Sequence, residues 1–341
     1  MLVERIEAHS DEPQLRAFLS EQLSAHRHPD YYGWLYRRNP HGSAEVWVLR
    51  DAAGTLVGAA AAFPRRIGIG GRELTAWNLG DFAVRADHRS LGPAVSLQRA
   101  CLARVLGGDV ALAYDHPAQG MMAIYQRLGI AAAGQVVRFA KPLRIDPQVR
   151  RVLPEGVLSR AASAVGNKLL SLGTARERAE APLVAALVGR FDDRVAELGS
   201  RLAGRFGVVG ARTPDYLNWR YVDHPLLRHR IWTAEAGGRL AGYAVLLEDQ
   251  GHAVLRDLFG EDDALDALIA AIVERLRADG RAHALSLPTL ATSPLVPLLT
   301  HWGFRVRETC PFVVCTRRGG PWDGTVTASE NWFLTDGDRD V

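Results

Sequence analysis

A mixed α/β fold with a largely antiparallel sheet, built from two similar halves, is what this sequence predicts. Three observations carry that reading. The first is internal similarity. Trp34-Leu-Tyr36-Arg-Arg-Asn-Pro40 recurs as Trp219-Arg-Tyr221-Val-Asp-His-Pro225, a shared W-x-Y-x-x-x-P at an offset of 185, and Trp47 and Trp232 in the strands that follow keep the same offset. The turns AAGTLVG (to Gly58) and AGGRLAG (to Gly242), then YQRLGI around Gly129 and THWGFR around Gly303, extend the match in the same order. Landmarks repeating in one order are the mark of duplication. The second observation is the element pattern: hairpins come first and strands alternate with helices later, which suits a mixed sheet rather than a doubly wound one. The third is length, since 341 residues exceed what a single core usually serves.

Each half is expected to open with a helix, Pro13 to about Leu23 and Phe191 to about Leu202. After the W-x-Y-x-x-x-P segment comes a Gly-turned hairpin, with strands near 45–50 and 55–67 in one half and 229–235 and 239–248 in the other. A third strand (72–84; 252–258) leads into a helix, 94–106 in the first half. In the second half Leu265, Leu268, Ile269, Ile272 and Leu276 line one face of that helix. A strand (109–115; 281–287), a short helix (117–128; 293–302) and closing strands complete each copy. The expected division is therefore 1–142, a connector at 143–190, 191–318 and a tail at 319–341.

Bulk properties narrow the function. Hydrophobic residues at 48% and charged ones at 23% are ordinary for a soluble globular protein, and a net charge of +3 is too small to argue for nucleic acid. The acidic, polar start MLVERIEAHSDEPQ has no apolar signal region, and no run approaches the ~20 apolar residues of a membrane span, so a cytoplasmic location is expected. Cys101, Cys310 and Cys315 are expected as reduced thiols. His26 and His28 lack further ligands at metal spacing, so no metal is assigned. Residues 141–190 hold nine bases against four acids, a local excess greater than that of the whole chain. This basic connector, with VLSRAASAVGNKLLSLG as a candidate amphipathic helix, is either a solvated linker or a docking patch for an acidic carrier protein, an anionic glycan or a membrane surface.

The chemistry concentrates at NLGDFAVRADHRSLGPAVSLQRACL, residues 78–102, where a strand hands over to a helix. The first amides of a helix lack intrahelical partners and sit at the positive end of its dipole, which suits phosphate. Gly92 lets a ligand approach the backbone, Pro93 suits a first turn, and Arg89 adds a fixed charge. A pyrophosphate-sized anion fits such a corner.

Arg89-Ser90-Leu91-Gly92-Pro93-Ala94 resembles the R/Q-x-x-G-x-G/A loop of the GNAT acyltransferase superfamily, and AIYQRLGI (123–130) is similar to that family's later Tyr motif. The resemblance implies that residues 89–94 bind the pyrophosphate of acetyl-CoA or another acyl-CoA, and that the backbone of Phe82, Ala83 and Val84 receives the carbonyl and pantetheine arm. It implies Tyr125 as general acid to the leaving thiolate and a small-molecule or sugar amine as acceptor. Pro93 departs from the pattern, having no N–H to give. The duplication extends the likeness to tandem GNAT proteins such as mycothiol synthase and the Fem-type aminoacyl transferases, and NWFLTDGDRD resembles the tail of tandem GNAT proteins encoded near bacterial exopolysaccharide genes. In the residues themselves, Asp81 within an apolar strand is the candidate base, with His116 as a second candidate for base or acceptor contact. Both have structural alternatives, and Asp257 at the matching position of the other half favours one for Asp81.

The second half keeps neither motif. Glu261, Asp262 and Asp263 stand where phosphate would lie, expected to cap the helix while repelling an anion, and Leu299 replaces the Tyr. The first half is therefore expected to work and the second to close the acceptor cleft. An acyl-CoA-dependent N-acyltransferase is the favoured function. A Fem-like aminoacyl transferase, disfavoured by the intact loop, and a non-catalytic coenzyme-binding regulator remain open.

Overall fold

The computed structural model describes residues 1–7, 12–144 and 184–339. The first half supplies β1 (Leu2–Ile6), α1 (Glu12–Gln22), β2 (Glu45–Arg50), β3 (Leu56–Ile69), β4 (Arg72–Val84), α2 (Leu91–Gly107), β5 (Ala113–Asp115), α3 (Gln119–Arg127) and β6 (Ala132–Pro142). The second supplies β7 (Val184–Val188), α4 (Arg194–Leu202), β8 (Val208–Gly210), α5 (Pro214–Leu217), β9 (His229–Ala236), β10 (Arg239–Asp249), β11 (His252–Gly260), α6 (Asp262–Asp279), β12 (Ala284–Leu290), α7 (Val296–His301), β13 (Arg305–Cys315), α8 (Asp323–Val326) and β14 (Trp332–Phe333). The expected mixed, mostly antiparallel sheet is present. It is one sheet of 14 strands rather than one sheet per half.

The strand order explains the continuity. It runs β1-β2-β3-β4-β5-β13-β6-β12-β11-β10-β9-β7, with β8 joining β3 and β14 at the side. Each half's closing strand crosses over: β13 pairs with β5, and β6 pairs with β12, before the two pair with each other at the centre. At the midpoint the two W-x-Y-x-x-x-P segments meet. Trp34 and Trp219 stack with ring centroids 4.7 Å apart. Each indole Nε1 donates to the other's carbonyl, at 2.9 and 3.1 Å. Both tryptophans lie on π-helical turns, Gly33–Arg37 and Asn218–Val222.

Three local expectations need correcting. The helix after β4 begins at Leu91, not Ala94, because Ser90 is extended (φ −119°, ψ 159°) and Pro93 is accommodated in the first turn. The strand expected at 109–115 shrinks to Ala113–Asp115, since β4 offers it only two paired positions. The helix near 117–128 is Gln119–Arg127. Most of the basic connector, including the candidate amphipathic helix, lies outside the described residues, and its final stretch is β7, paired with β9. No helix among the described residues is long and apolar enough to cross a membrane.

Candidate active site

β4 and β5 pair only at Trp77–Ala113 and Asn78–Tyr114, after which β5 ends at Asp115 while β4 runs on to Val84. The stretch Leu79–Val84 is thus unpaired on its β5 side and leads directly to the start of α2. At that start the amides of Leu91 and Gly92 have no intrahelical acceptor, Pro93 has no N–H, and Ser90 makes no side-chain cap. A Cβ at Gly92 would meet nothing within 4 Å, so the approach is open. Arg89 donates Nε to the Val84 carbonyl at 3.0 Å, which pins its guanidinium beside the corner. Ala94 and Val95 turn inward and anchor the helix.

A one-residue bulge in β4 sets the face each side chain takes. Ala59 pairs with Ala83 and Ala61 with Gly80, leaving Asp81 and Phe82 opposite Ala60. Asp81 adopts φ 49°, the left-handed region that a non-glycine residue seldom enters. The extra residue reverses the alternation of the strand. Phe82 and Val84 pack on the side of α2, whereas Asp81 turns to the opposite face. There Asp81 Oδ2 accepts from Tyr36 Oη at 2.8 Å and lies 2.6 Å from His26 Nε2. The His26 ring is buried among Tyr31, Tyr32 and Tyr36, and its Nδ1 has no partner.

Tyr125 lies on the α2 side. It is fully buried, donates Oη to Asp115 Oδ2 at 2.6 Å and accepts from Gln98 Nε2 at 3.2 Å. Burial first, and then the Asp115 charge, push its phenol well above its usual value. Burial likewise raises the Asp115 carboxyl to about 6. Cys101 is buried, as is Cys315, and all three cysteines are free thiols.

His116 follows Asp115, so strand alternation sends it to the other face. It packs near Tyr114 and Phe312, and both ring nitrogens are shielded without a partner. Burial and, secondarily, Arg339 hold its pKa well below the imidazole range. By these packing partners, the two candidate bases occupy one face of the sheet. The candidate acid and the Phe82–Val84 backbone occupy the other, and the β4–β5 gap lies between them.

Sequence reasoning missed His26, Tyr36, Gln98 and Asp115. His26 was read only for metal spacing; nothing local signals a bond to a residue 55 positions away. Tyr36 recurs in both halves as part of the W-x-Y-x-x-x-P repeat, so the sequence points to packing rather than chemistry there. The recurrence hid an asymmetry, since the Tyr221 hydroxyl has no partner where Tyr36 binds Asp81.

The second half closes the equivalent positions. Asp257 is 1% exposed and is saturated by Tyr243 Oη (2.7 Å), Thr335 Oγ1 (2.8 Å) and the Leu258 amide (3.0 Å). Leu299 is fully buried. The acids at the start of α6 do not cap it as expected, because arginines draw them away: Glu261 pairs with Arg239 and Arg201, and Asp262 with Arg205. An apolar cavity of about 250 Å³ remains between Gly260, Leu265, Leu295 and Leu298, with Asp262 at its edge.

Residues 8–133 match the family described as acetyltransferase (GNAT) domain. A probable N-acyltransferase from Enterococcus faecalis superposes with a TM-score of 0.65 at 12% identity, over 92% of this chain and 72% of that one. A GCN5-related N-acetyltransferase from Anabaena variabilis gives 0.64 at 13% identity with the same coverages. The N-myristoyltransferase of Saccharomyces cerevisiae with bound myristoyl-CoA gives 0.55 at 15% identity, over 92% of this chain and 83% of that one. At these identities the likeness is one of fold. No curated protein sequence matched this chain.

Proposed function

We propose that the chain is a GNAT-type N-acyltransferase, a reading supported by the match of residues 8–133 to the acetyltransferase (GNAT) domain, and that its N-terminal half moves an acetyl group from acetyl-CoA to the amine of a small molecule or sugar. The observation that carries this reading is the unpaired β4 edge running into the start of α2. In this reading the pyrophosphate lies over residues 89–94, held by the Arg89 charge and the Leu91 and Gly92 amides, with Pro93 donating nothing. The pantetheine arm adds along Phe82, Ala83 and Val84 as a strand would, and backbone amides there polarise the thioester carbonyl.

The amine nitrogen attacks the carbonyl carbon from the Asp81 face and the carbon–sulfur bond breaks as the tetrahedral intermediate collapses. The amine's proton goes to Asp81, whose Oδ1 is not occupied by His26 or Tyr36. The leaving thiolate takes a proton from Tyr125. His26 and Tyr36 act as positioning residues, fixing the carboxylate that the bulge has turned toward them. Asp81 is preferred to His116 as base because it sits on the strand that holds the carbonyl. The second half, with Asp257 saturated and acids at its own helix start, closes the acceptor side without chemistry.

Calorimetric titration of acetyl-CoA into wild type and Arg89→Glu tests the reading. Micromolar binding is expected, weakened at least about tenfold by the charge reversal. Absence of wild-type binding would remove acyl-CoA as the donor.

A further inference from the structure

The hydrogen bonds at Tyr125 commit its proton to a neighbour rather than to sulfur. A phenol has one proton to give and two positions that accept. Oη gives that proton to Asp115 Oδ2 at 2.6 Å and accepts from Gln98 Nε2 at 3.2 Å. Gln98 is buried on α2, and its amide nitrogen can only donate. Of these two contacts, only the one to Asp115 can therefore reverse. While Asp115 is ionised, it holds the phenol proton. Once Asp115 is protonated, Oδ2 becomes the donor along the same line. Gln98 and Asp115 then fill both accepting positions of Oη, and the phenol proton is free to turn to a third partner.

The surroundings bring the protonated form within reach. Tyr125 faces the Asp115 carboxyl from α3, Cys101 from α2 and Cys315 from β13, and the two thiols are buried. The His116 amide donates to it, and Arg339 lends positive charge without an ion pair to it among the described residues, its guanidinium pairing with Asp336 at 3.3 Å. Burial outweighs these contacts and raises the carboxyl to about 6, so both forms are populated near neutrality. The second half offers an internal comparison. At the spacing that carries Tyr125 onto Leu299, Asp115 falls on Thr289, whose hydroxyl donates to the Leu334 carbonyl at 2.7 Å. Phenol and acid are lost together.

Resting on the acyltransferase reading above, we propose that Asp115 and Gln98 aim the Tyr125 proton at the leaving sulfur, and that Asp115 replaces that proton as it leaves. As the carbon–sulfur bond breaks, its electron pair stays on sulfur. The thiolate takes the phenol proton, Oη takes the proton of Asp115 Oδ2, and Asp115 is left as carboxylate. No buried tyrosinate persists. Water returns a proton to the half-buried Asp115 after the products leave, which balances the amine proton shed from Asp81. Asp115 and Gln98 are thus positioning residues that act through Tyr125.

The test compares kcat for wild type and Asp115→Asn between pH 5 and pH 8, at saturating acetyl-CoA and amine. Amine ionisation and Asp81 are common to both proteins and cancel in the ratio. Wild type is expected to be about tenfold or more faster at pH 5, with that advantage lost as pH rises through about 6. A ratio constant with pH overturns the proposal, since a merely structural acid would lower kcat equally throughout. Gln98→Leu is expected to lower kcat about tenfold with the KM for acetyl-CoA kept, and an unchanged kcat overturns the part given to Gln98. Carbon-13 NMR of aspartate-labelled protein reads the carboxyl without turnover. The Asp115 signal, identified by its loss in Asp115→Asn, is expected to titrate near 6, and higher in Tyr125→Phe, which removes a donor to the carboxylate. Titration near the ordinary 3.8 overturns the proposal even where acetyl-CoA binds and turns over. Titration near 6 in a protein that binds no acetyl-CoA would instead overturn the acyltransferase reading and leave the reversible pair standing.

Discussion

Tyr125 Oη and Asp115 Oδ2 lie 2.6 Å apart beneath α3, with the phenol fully buried. Burial there disfavours charge on either group, so Asp115 titrates at about 6 instead of near 3.8. A carboxyl whose folded pKa is raised stabilises the fold below its unfolded pKa and loses that contribution as pH rises through the folded one. Asn at position 115 is neutral throughout and keeps an acceptor for Tyr125. The Asp115→Asn variant should therefore gain stability relative to wild type between pH 4 and pH 7, by up to about 3 kcal/mol. Urea melts at both pH values measure this, and an unchanged difference would show that Asp115 ionises freely. The pairing also bears on catalysis. Tyr125 is reluctant to become tyrosinate beside an ionised neighbour, so if it is the general acid proposed above, proton delivery to sulfur is easiest while Asp115 still holds its own proton.

At the scale of elements, the closing segment departs most from expectation. NWFLTDGDRD is polar and lies in the stretch 319–341 expected only as a tail. In the structure, Thr335, Asp336 and Asp338 are buried. Asp338 pairs with Arg65 at 2.9 Å and Arg212 at 2.7 Å, and Asp336 with Arg256 at 2.6 Å. These partners stand far apart in sequence and have no period, so no window of the chain announces them. The two arginines hold the Asp338 carboxyl down to about 2 despite the opposing effect of burial. Asp338→Asn leaves buried Arg65 without its carboxylate and Arg212 with only Asp257 at 3.5 Å, and should cost about 3–5 kcal/mol, read as a lowered urea midpoint. A loss below about 1 kcal/mol would mean that the pair breaks even with solvent. The hairpins, by contrast, were legible because Gly54, Gly237 and Gly238 all take positive φ at the turns. The α2 corner was legible too, to within three residues, since Arg89, Gly92 and Pro93 act through local geometry. His26, by contrast, depends on a bulge that no pattern of apolar residues encodes.

Across the whole molecule, the exchange of β6 and β13 ties the halves together. β6 makes no pairing with its own half's β5; its partners are β12 and β13. Residues 1–142 made alone would expose β5 and leave β6 unpaired, an aggregation-prone state. We therefore expect 1–160 and 161–341 to be insoluble when expressed singly, and soluble and co-purifying when expressed together. A soluble, monomeric 1–142 with folded dispersion in its NMR spectrum would contradict that expectation. The duplicated landmarks predict two similar halves. They could not foretell the crossing, because a strand's sequence specifies its faces and not its neighbour.

The crossing also has a consequence in time. Asp115 meets Val313 across the sheet, 198 positions later in the chain. While the protein is being synthesised, the strand beside the candidate acid stays vacant on one side until residues 305–315 have left the ribosome. Premature termination upstream of β13 would thus yield products with the proposed acyl-CoA loop intact and the β5 edge beside Tyr125 and Asp115 uncovered. Competence then arrives near the end of translation rather than when the first half emerges.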